Sequence, residues 1–138
     1  MKTVASIIII FTVSLLNLQK VNAQQTVTAT VVNVTSDNGK VYFSLYTKND
    51  FRKKSLQSKE AIIKDGKSTV TFEGVAEGEY AIICYHDKNS NNKMDFSPNG
   101  MPLEDYGSTN NVLVMGPPQF DLAKFVVADK DVSFEIKF

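Results

Sequence analysis

The chain has 138 residues, with 15 basic and 15 acidic side chains, one histidine and one cysteine. This balance excludes the basic footprint of a nucleic-acid-binding protein, and a lone cysteine excludes an intramolecular disulfide. Residues 1–23 predict a cleaved signal peptide, because Lys2 precedes an apolar core at 7–16 and small residues lead to Ala23. The apolar run is too short to span a bilayer. Residues 24–138 are therefore predicted to form one exported domain, with a net charge of about −2 and no membrane insertion.

The first part of this domain has the alternating pattern of half-buried β-strands. Apolar and polar side chains alternate over residues 26–31 and again over 41–46, both rich in β-branched or aromatic residues. Asn38 and Gly39 between them favour a hairpin turn, which predicts that the two strands pair. The basic stretch 48–59 predicts a solvated connection that crosses between sheets.

The remaining segments also favour an all-β fold. Residues 61–72 predict a second hairpin, and 80–86 predict a central strand covered on both faces, since both sets of alternate side chains are apolar. Residues 87–121 contain all four prolines and predict a long irregular loop. Two short strands in 125–138 close the chain. About seven strands in this order predict an antiparallel β-sandwich, immunoglobulin-like or transthyretin-like, with one long loop after the central strand.

An oxygen-rich loop follows the predicted central strand. Its side chains match the first, third, fifth and ninth places of an EF-hand calcium loop, and the seventh place uses a backbone carbonyl. Pro98 at the twelfth place supplies no carboxylate, so we expect a dissociation constant on the order of 0.1 mM or weaker. Glu104 or Asp105 could complete the shell, whereas the competing interpretation is that these residues only close turns. The predicted metal ligands are Asp87, Asn89, Asn91, Lys93 and Asp95.

Two catalytic interpretations of the same region are disfavoured. His86 lies beside Asp87 and two residues from Cys84, but alternate residues on one strand face are about 7 Å apart, too far for a thiol–imidazole hydrogen bond. No third group is identifiable that would orient a hydrolytic pair, so a hydrolase is the least favoured function. A zinc site made by His86, Asp87 and Asp95 lacks a second histidine.

The long segment 96–121 supports an alternative function, the binding of a small molecule. Tyr106, Phe120 and the pair Asn110-Asn111 could form a pocket at one end of the sandwich. The competing interpretation is that these residues only fold the segment back onto the cation loop.

Several motifs together resemble a known family. The pattern Gly78-x-Tyr80, His86-Asp87-x-Asn89-x-Asn91, Gly100-x-Pro102-x-Glu104-x-Tyr106-Gly107 and Gly116-Pro117-Pro118-x-Phe120 is similar to that of the uncharacterised bacterial family DUF2141. Ser108 departs from it, because an aromatic residue usually follows the Tyr-Gly pair. The resemblance implies an exported bacterial β-sandwich with no established activity. A similarity to carboxypeptidase regulatory-type domains is limited to the fold and transfers no function.

The sequence thus predicts an exported, non-catalytic module in the periplasm, at the cell surface or secreted. Calcium would stabilise the loop 87–95, and the partner would be a protein or small molecule of unknown identity. No cysteine follows the signal peptide at the position a lipoprotein needs, so we expect no lipid anchor.

Overall fold

The computed structural model describes residues 23–112 and 114–138, so the predicted signal peptide lies, apart from its last residue, outside the described part. Within these two ranges, eight strands form two sheets, accompanied by a 3₁₀ turn at Thr109–Asn111 and the single-turn helix α1 at Phe120–Ala123. No helix in the described ranges is both long and apolar enough to cross a membrane. The strands are β1 (Gln25–Val31), β2 (Lys40–Tyr46), β3 (Gln57–Ile62), β4 (Ser68–Val75), β5 (Gly78–Asp87), β6 (Tyr106–Ser108), β7 (Phe125–Val127) and β8 (Val132–Ile136).

The smaller sheet has three strands in the order β4-β1-β8. Strand β1 pairs antiparallel with β4 and parallel with β8. Its valines and Ala29 are buried, whereas its threonines face outward. Two of these threonines bond across the strands, Thr28 to Thr71 at 3.1 Å and Thr30 to Thr69 at 2.9 Å between hydroxyl oxygens. The threonine alternation therefore gives this sheet its polar outer face.

The larger sheet has the order β3-β2-β5-β6, and β7 also pairs with β5. Strand β5 is central, as predicted: β2 lies along one side, while β6 and β7 pair with different parts of the other. The core lies between the two sheets, because both present their buried alternate residues inward. Its fully buried large side chains include Val27, Val31, Val41, Phe43, Leu45, Phe72, Val75, Ile82, Val127 and Ile136. This arrangement confirms the predicted all-β sandwich.

Both predicted hairpin pairings are wrong. Strands β1 and β2 lie in different sheets, and so do β3 and β4. The predicted turn between β3 and β4 does close, through a bridge between Lys64 and Lys67, but the two strands are linked by side-chain hydrogen bonds rather than by a ladder. The basic stretch 48–59 instead connects strands of one sheet, and its last three residues belong to β3. The two crossing turns lie together, since the Asp37 carboxylate accepts hydrogen bonds from the backbone amides of Asp65 and Gly66. A turn motif specifies that the chain reverses but does not specify which strand becomes its partner.

The outer face of β5 is covered at one end only. Ala81 is fully buried and belongs to a small cluster with Phe120 and Ala123, whereas Ile83 and Tyr85 are half-buried. The prediction of a strand covered on both faces therefore holds for the first part of β5. The long segment after β5 contains β6 and the 3₁₀ turn, so it is more regular than predicted.

Candidate functional site

The candidate site begins where β5 ends, at Asp87. This carboxylate is 1% exposed, and its two oxygens accept hydrogen bonds from the backbone amides of Asn91 at 3.1 Å and Asn92 at 2.9 Å. Ser90 and Asn92 have positive φ angles of 58° and 64°, and Asn92 stands at the sixth place, where an EF-hand loop has glycine. Asparagine tolerates this left-handed conformation. The loop thus curls back around the carboxylate of its first residue.

The predicted side-chain ligands come together inside this curl. Asn89 Nδ2 donates to Asp95 Oδ2 at 2.7 Å, and Asn91 Nδ2 donates to both Asp95 oxygens at 2.9 and 2.7 Å. The backbone amide of Lys93 donates to Asn91 Oδ1 at 3.1 Å. The asparagine side chains therefore close turns and also approach the Asp95 carboxylate, so both interpretations of the loop describe part of its structure. Rotation of each amide by half a turn would direct its oxygen, rather than its nitrogen, towards Asp95.

Glu104 joins the loop from a distant part of the chain. Its side chain is buried, and its two oxygens accept hydrogen bonds from the backbone amides of Lys88 at 3.1 Å and Asp95 at 3.2 Å. It therefore connects the beginning and the end of the loop. Asp105, the other open candidate, pairs with the Lys88 ammonium at 2.9 Å. The sequence left both acids open as an additional ligand. Only the structure shows that Glu104 bonds to the loop backbone, whereas Asp105 pairs with a lysine side chain.

Negative charge at this site is not balanced by cationic side chains. Asp87 and Glu104 are buried and Asp95 is half-buried, yet in residues 23–112 and 114–138 no lysine, arginine or histidine forms an ion pair with any of them. Buried carboxylates are ordinarily paired or coordinate a cation. Within the same ranges, no three His, Cys, Asp or Glu side chains are grouped to hold a metal. A cation here would therefore need the amide oxygens of Asn89 and Asn91.

The geometry of His86 and Cys84 opposes the hydrolase and zinc interpretations. His86 is 0% exposed, and its Nε2–H donates to the Asn38 carbonyl at 2.7 Å, so a substrate cannot reach the ring. Its Nδ1 has no hydrogen-bond partner among the described residues. Burial raises the pKa of the Cys84 thiol, which keeps it protonated and unreactive.

The predicted ligand pocket forms with only part of its predicted lining. Tyr106 and Asn111 line a cavity of about 630 Å³, together with Leu122 and Phe138. Phe120 does not line it, because its ring is buried against Phe51, with centroids 5.5 Å apart.

The side chains of Asn110 and Asn111, predicted to line the pocket, are hydrogen-bonded to backbone groups of the protein. Asn110 donates its amide protons to the carbonyls of Leu122 and Lys124. Asn111 bonds to the backbone of Glu135 and Lys137. These contacts attach the 3₁₀ turn to the end of the sandwich, while leaving Asn111 at the cavity wall.

Comparison with known proteins gives the following matches. Two solved structures of a pilus-presented adhesin, Spy0125 (Cpa), align with 86% and 83% of this chain, at 16% and 17% identity and TM-scores of 0.29 and 0.27. The chain spans only 27% and 26% of those chains. No curated protein matches the sequence. A family model described as "Uncharacterized protein conserved in bacteria" matches residues 29–135, and the chain therefore belongs to the family DUF2141, as its motifs indicated.

Proposed function

We propose that this chain is an exported, non-catalytic β-sandwich module whose loop 87–95 binds calcium. The observation that carries the proposal is the convergence of the Asn89 and Asn91 side chains on the Asp95 carboxylate. The backbone of the same loop is held by Asp87 and Glu104, two buried carboxylates that form no ion pair within the described ranges. Calcium favours oxygen ligands from carboxylates and amides in flexible arrangements of six to eight. A bound cation would replace the amide protons that now face Asp95 and would offset the buried charge. Export is supported by the signal-peptide pattern of residues 1–23.

We expect a cation at this site to stabilise the fold rather than to switch the protein between two conformations. The site is set at the end of the central strand, and Glu104 holds both ends of the loop through backbone amides. The strand and Glu104 therefore hold the loop in shape, and a cation would increase stability without a large conformational change. No disulfide is available to a chain with one cysteine, and a metal commonly serves this purpose in small exported domains.

A calcium titration of thermal stability tests this proposal. With a dissociation constant on the order of 0.1 mM, about 5 mM free calcium adds about 2 kcal/mol to the free energy of unfolding. That corresponds to a rise in Tm of roughly 5–10 °C for a domain of this size. Asp87→Asn and Asp95→Asn should each abolish the rise, because both remove a ligand charge.

Asp105→Asn is the matched control. Asp105 lies beside Glu104, but its carboxylate is occupied by Lys88 and Thr35, so the calcium-dependent rise should persist in this variant. An unchanged Tm of the unsubstituted protein on calcium addition, with no binding heat by calorimetry, would refute the proposal. Equal loss of the rise in all three variants would show a general charge effect rather than a site.

A second candidate function is the binding of a small molecule by the segment 96–121. The observation in its favour is that this segment borders two cavities that share Tyr106, of about 630 and 510 Å³, within the usual range of ligand pockets. A thermal-shift screen of small molecules should yield ligands whose stabilising effect is lost in Tyr106→Ala. Ligands that stabilise this variant equally would place binding elsewhere.

A further inference from the structure

The smaller cavity is a groove on the outer face of the five-stranded sheet. Its floor is formed by side chains that point outward from β2 and β5. Its walls come from Met94 at the end of the cation loop, from the segment after that loop and from the β2–β3 connection. Its volume is about 510 Å³. We call this cavity the tyrosine groove. The side chains that give it its character are Tyr46, Arg52, Tyr85, Phe96, Met101 and Tyr106.

The aromatic floor of the tyrosine groove is held in place by neighbouring rings. Tyr85 stacks on Tyr42 with ring centroids 5.3 Å apart and planes inclined by 11°. Tyr46 meets the ring of Phe51 edge-on at 5.6 Å. Rings fixed in this way lose little conformational freedom when a flat molecule packs on them, and this lowers the entropic cost of binding.

The outer wall carries apolar side chains that the protein's own core does not cover. Phe96 is 58% exposed and Met101 is 61% exposed, and Tyr106 is exposed beside them. Single exposed apolar residues are ordinary, but a group of them around a concave surface is typical of a binding site. The groove therefore matches the apolar part of a ligand.

Arg52 determines the charge that the groove accepts. It is the only charged side chain among the described residues that line the groove, and it forms no ion pair within the described ranges. Its backbone has a positive φ of 59°, an uncommon conformation for a residue with a long side chain. A guanidinium next to neutral aromatic rings favours a carboxylate or similar planar anion.

We propose that the tyrosine groove binds a small organic anion with a flat apolar body, whose ring packs on Tyr46 and Tyr85 while its carboxylate pairs with Arg52. This inference rests on the second candidate function and specifies its site and ligand class. Met94 of the loop 87–95 also lines the groove, whereas the proposed contacts with the ligand come from residues outside that loop. The proposed pairing with Arg52 also gives a function to part of the basic stretch that the sequence presented only as a solvated connection.

A matched pair of probes tests the proposal, naphthalene-2-carboxylate and its neutral analogue naphthalen-2-ylmethanol. Two-dimensional NMR of the ¹⁵N-labelled protein should show the carboxylate shifting amide signals of β2, β5 and β6, with weaker binding of the alcohol. Arg52→Gln should weaken binding of the carboxylate about tenfold, the effect of losing one charge-assisted hydrogen bond, and leave binding of the alcohol unchanged. Lys54→Gln is the control, because Lys54 belongs to the same basic stretch but does not line the groove. Tyr85→Ala should weaken both probes.

Each other outcome contradicts a defined part of the proposal. Equal binding of the two probes, or equal effects of Arg52→Gln and Lys54→Gln, would overturn the role of Arg52 and the anionic ligand class. Shifts confined to residues around Leu122 and Phe138 would overturn the tyrosine groove while retaining ligand binding by the segment 96–121. The absence of shifts from either probe would overturn the inference. The calcium-dependent rise in Tm is measured separately and is unaffected by any of these results.

Discussion

Gly39 lies where the turn after β1 passes against the carbonyl of Asp87, the first residue of the candidate site. Its φ is +76°, and a Cβ at this position would lie 2.0 Å from the Asp87 carbonyl oxygen and 2.9 Å from the Asp87 carbonyl carbon. Side-chain Cβ atoms essentially never approach heavy atoms closer than 3.0 Å. In Gly39→Ala, therefore, the end of β5 must move by about 1 Å or the turn must open.

The cost of Gly39→Ala has two parts that a second variant separates. The left-handed backbone costs about 1 kcal/mol for a residue with a Cβ, and forced displacement of packed atoms costs roughly 1–3 kcal/mol more. Gly100→Ala is matched for the first part, because Gly100 has φ +80° but nothing within 4 Å of its added Cβ. We expect losses of roughly 2–4 kcal/mol for Gly39→Ala and about 1 kcal/mol for Gly100→Ala.

Urea denaturation, followed by circular dichroism, measures the free energy of unfolding of both variants. An unchanged dependence of this free energy on urea concentration checks that unfolding remains two-state. The difference between them, roughly 1–3 kcal/mol, is the effect of the contact with Asp87. Equal losses would refute the reasoning, because they would show that the Asp87 carbonyl does not restrict this position. A loss below about 0.5 kcal/mol in Gly39→Ala would also refute the left-handed conformation of the turn.

Two further predictions concern polar contacts near the site. Thr109→Val should cost roughly 2–4 kcal/mol in urea denaturation, because the buried Thr109 hydroxyl accepts from the Ile82 amide and donates to the Ala123 carbonyl, and both would lose their partner; a neutral effect would contradict this pairing. The hydrogen bond from Lys88 lowers the pKa of Asp105 below its ordinary value of 3.8, so the pair stabilises the fold above that pH and its contribution is lost as the pH falls through the lowered value. Asp105→Asn should therefore cost about 0.5 kcal/mol at pH 7 and progressively less as the pH falls through the lowered pKa of Asp105; a difference that is the same at every pH would contradict the assignment.

The site illustrates how far local sequence can predict a functional arrangement. Asp87, Asn89, Asn91 and Asp95 lie within nine consecutive residues, so the turn chemistry of the loop itself brings them together. Glu104 is separated from Asp95 by nine positions and reaches the loop only because residues 96–103 reverse direction. The role of Arg52 could not be predicted, since its position beside the tyrosines depends on a neighbouring strand connection.

The sequence by itself determined strands β1 and β2 and their inward faces, because an alternation with period two directs apolar side chains to one side whatever the partner strand is. It also determined that oxygen-bearing side chains gather after the central strand. Only the tertiary structure decided that β1 and β2 belong to opposite sheets and that β1 pairs in parallel with β8. The physical reason is that hydrogen-bonding groups on a strand edge are alike along its length, so pairing is selected by how two apolar faces pack together across the whole domain.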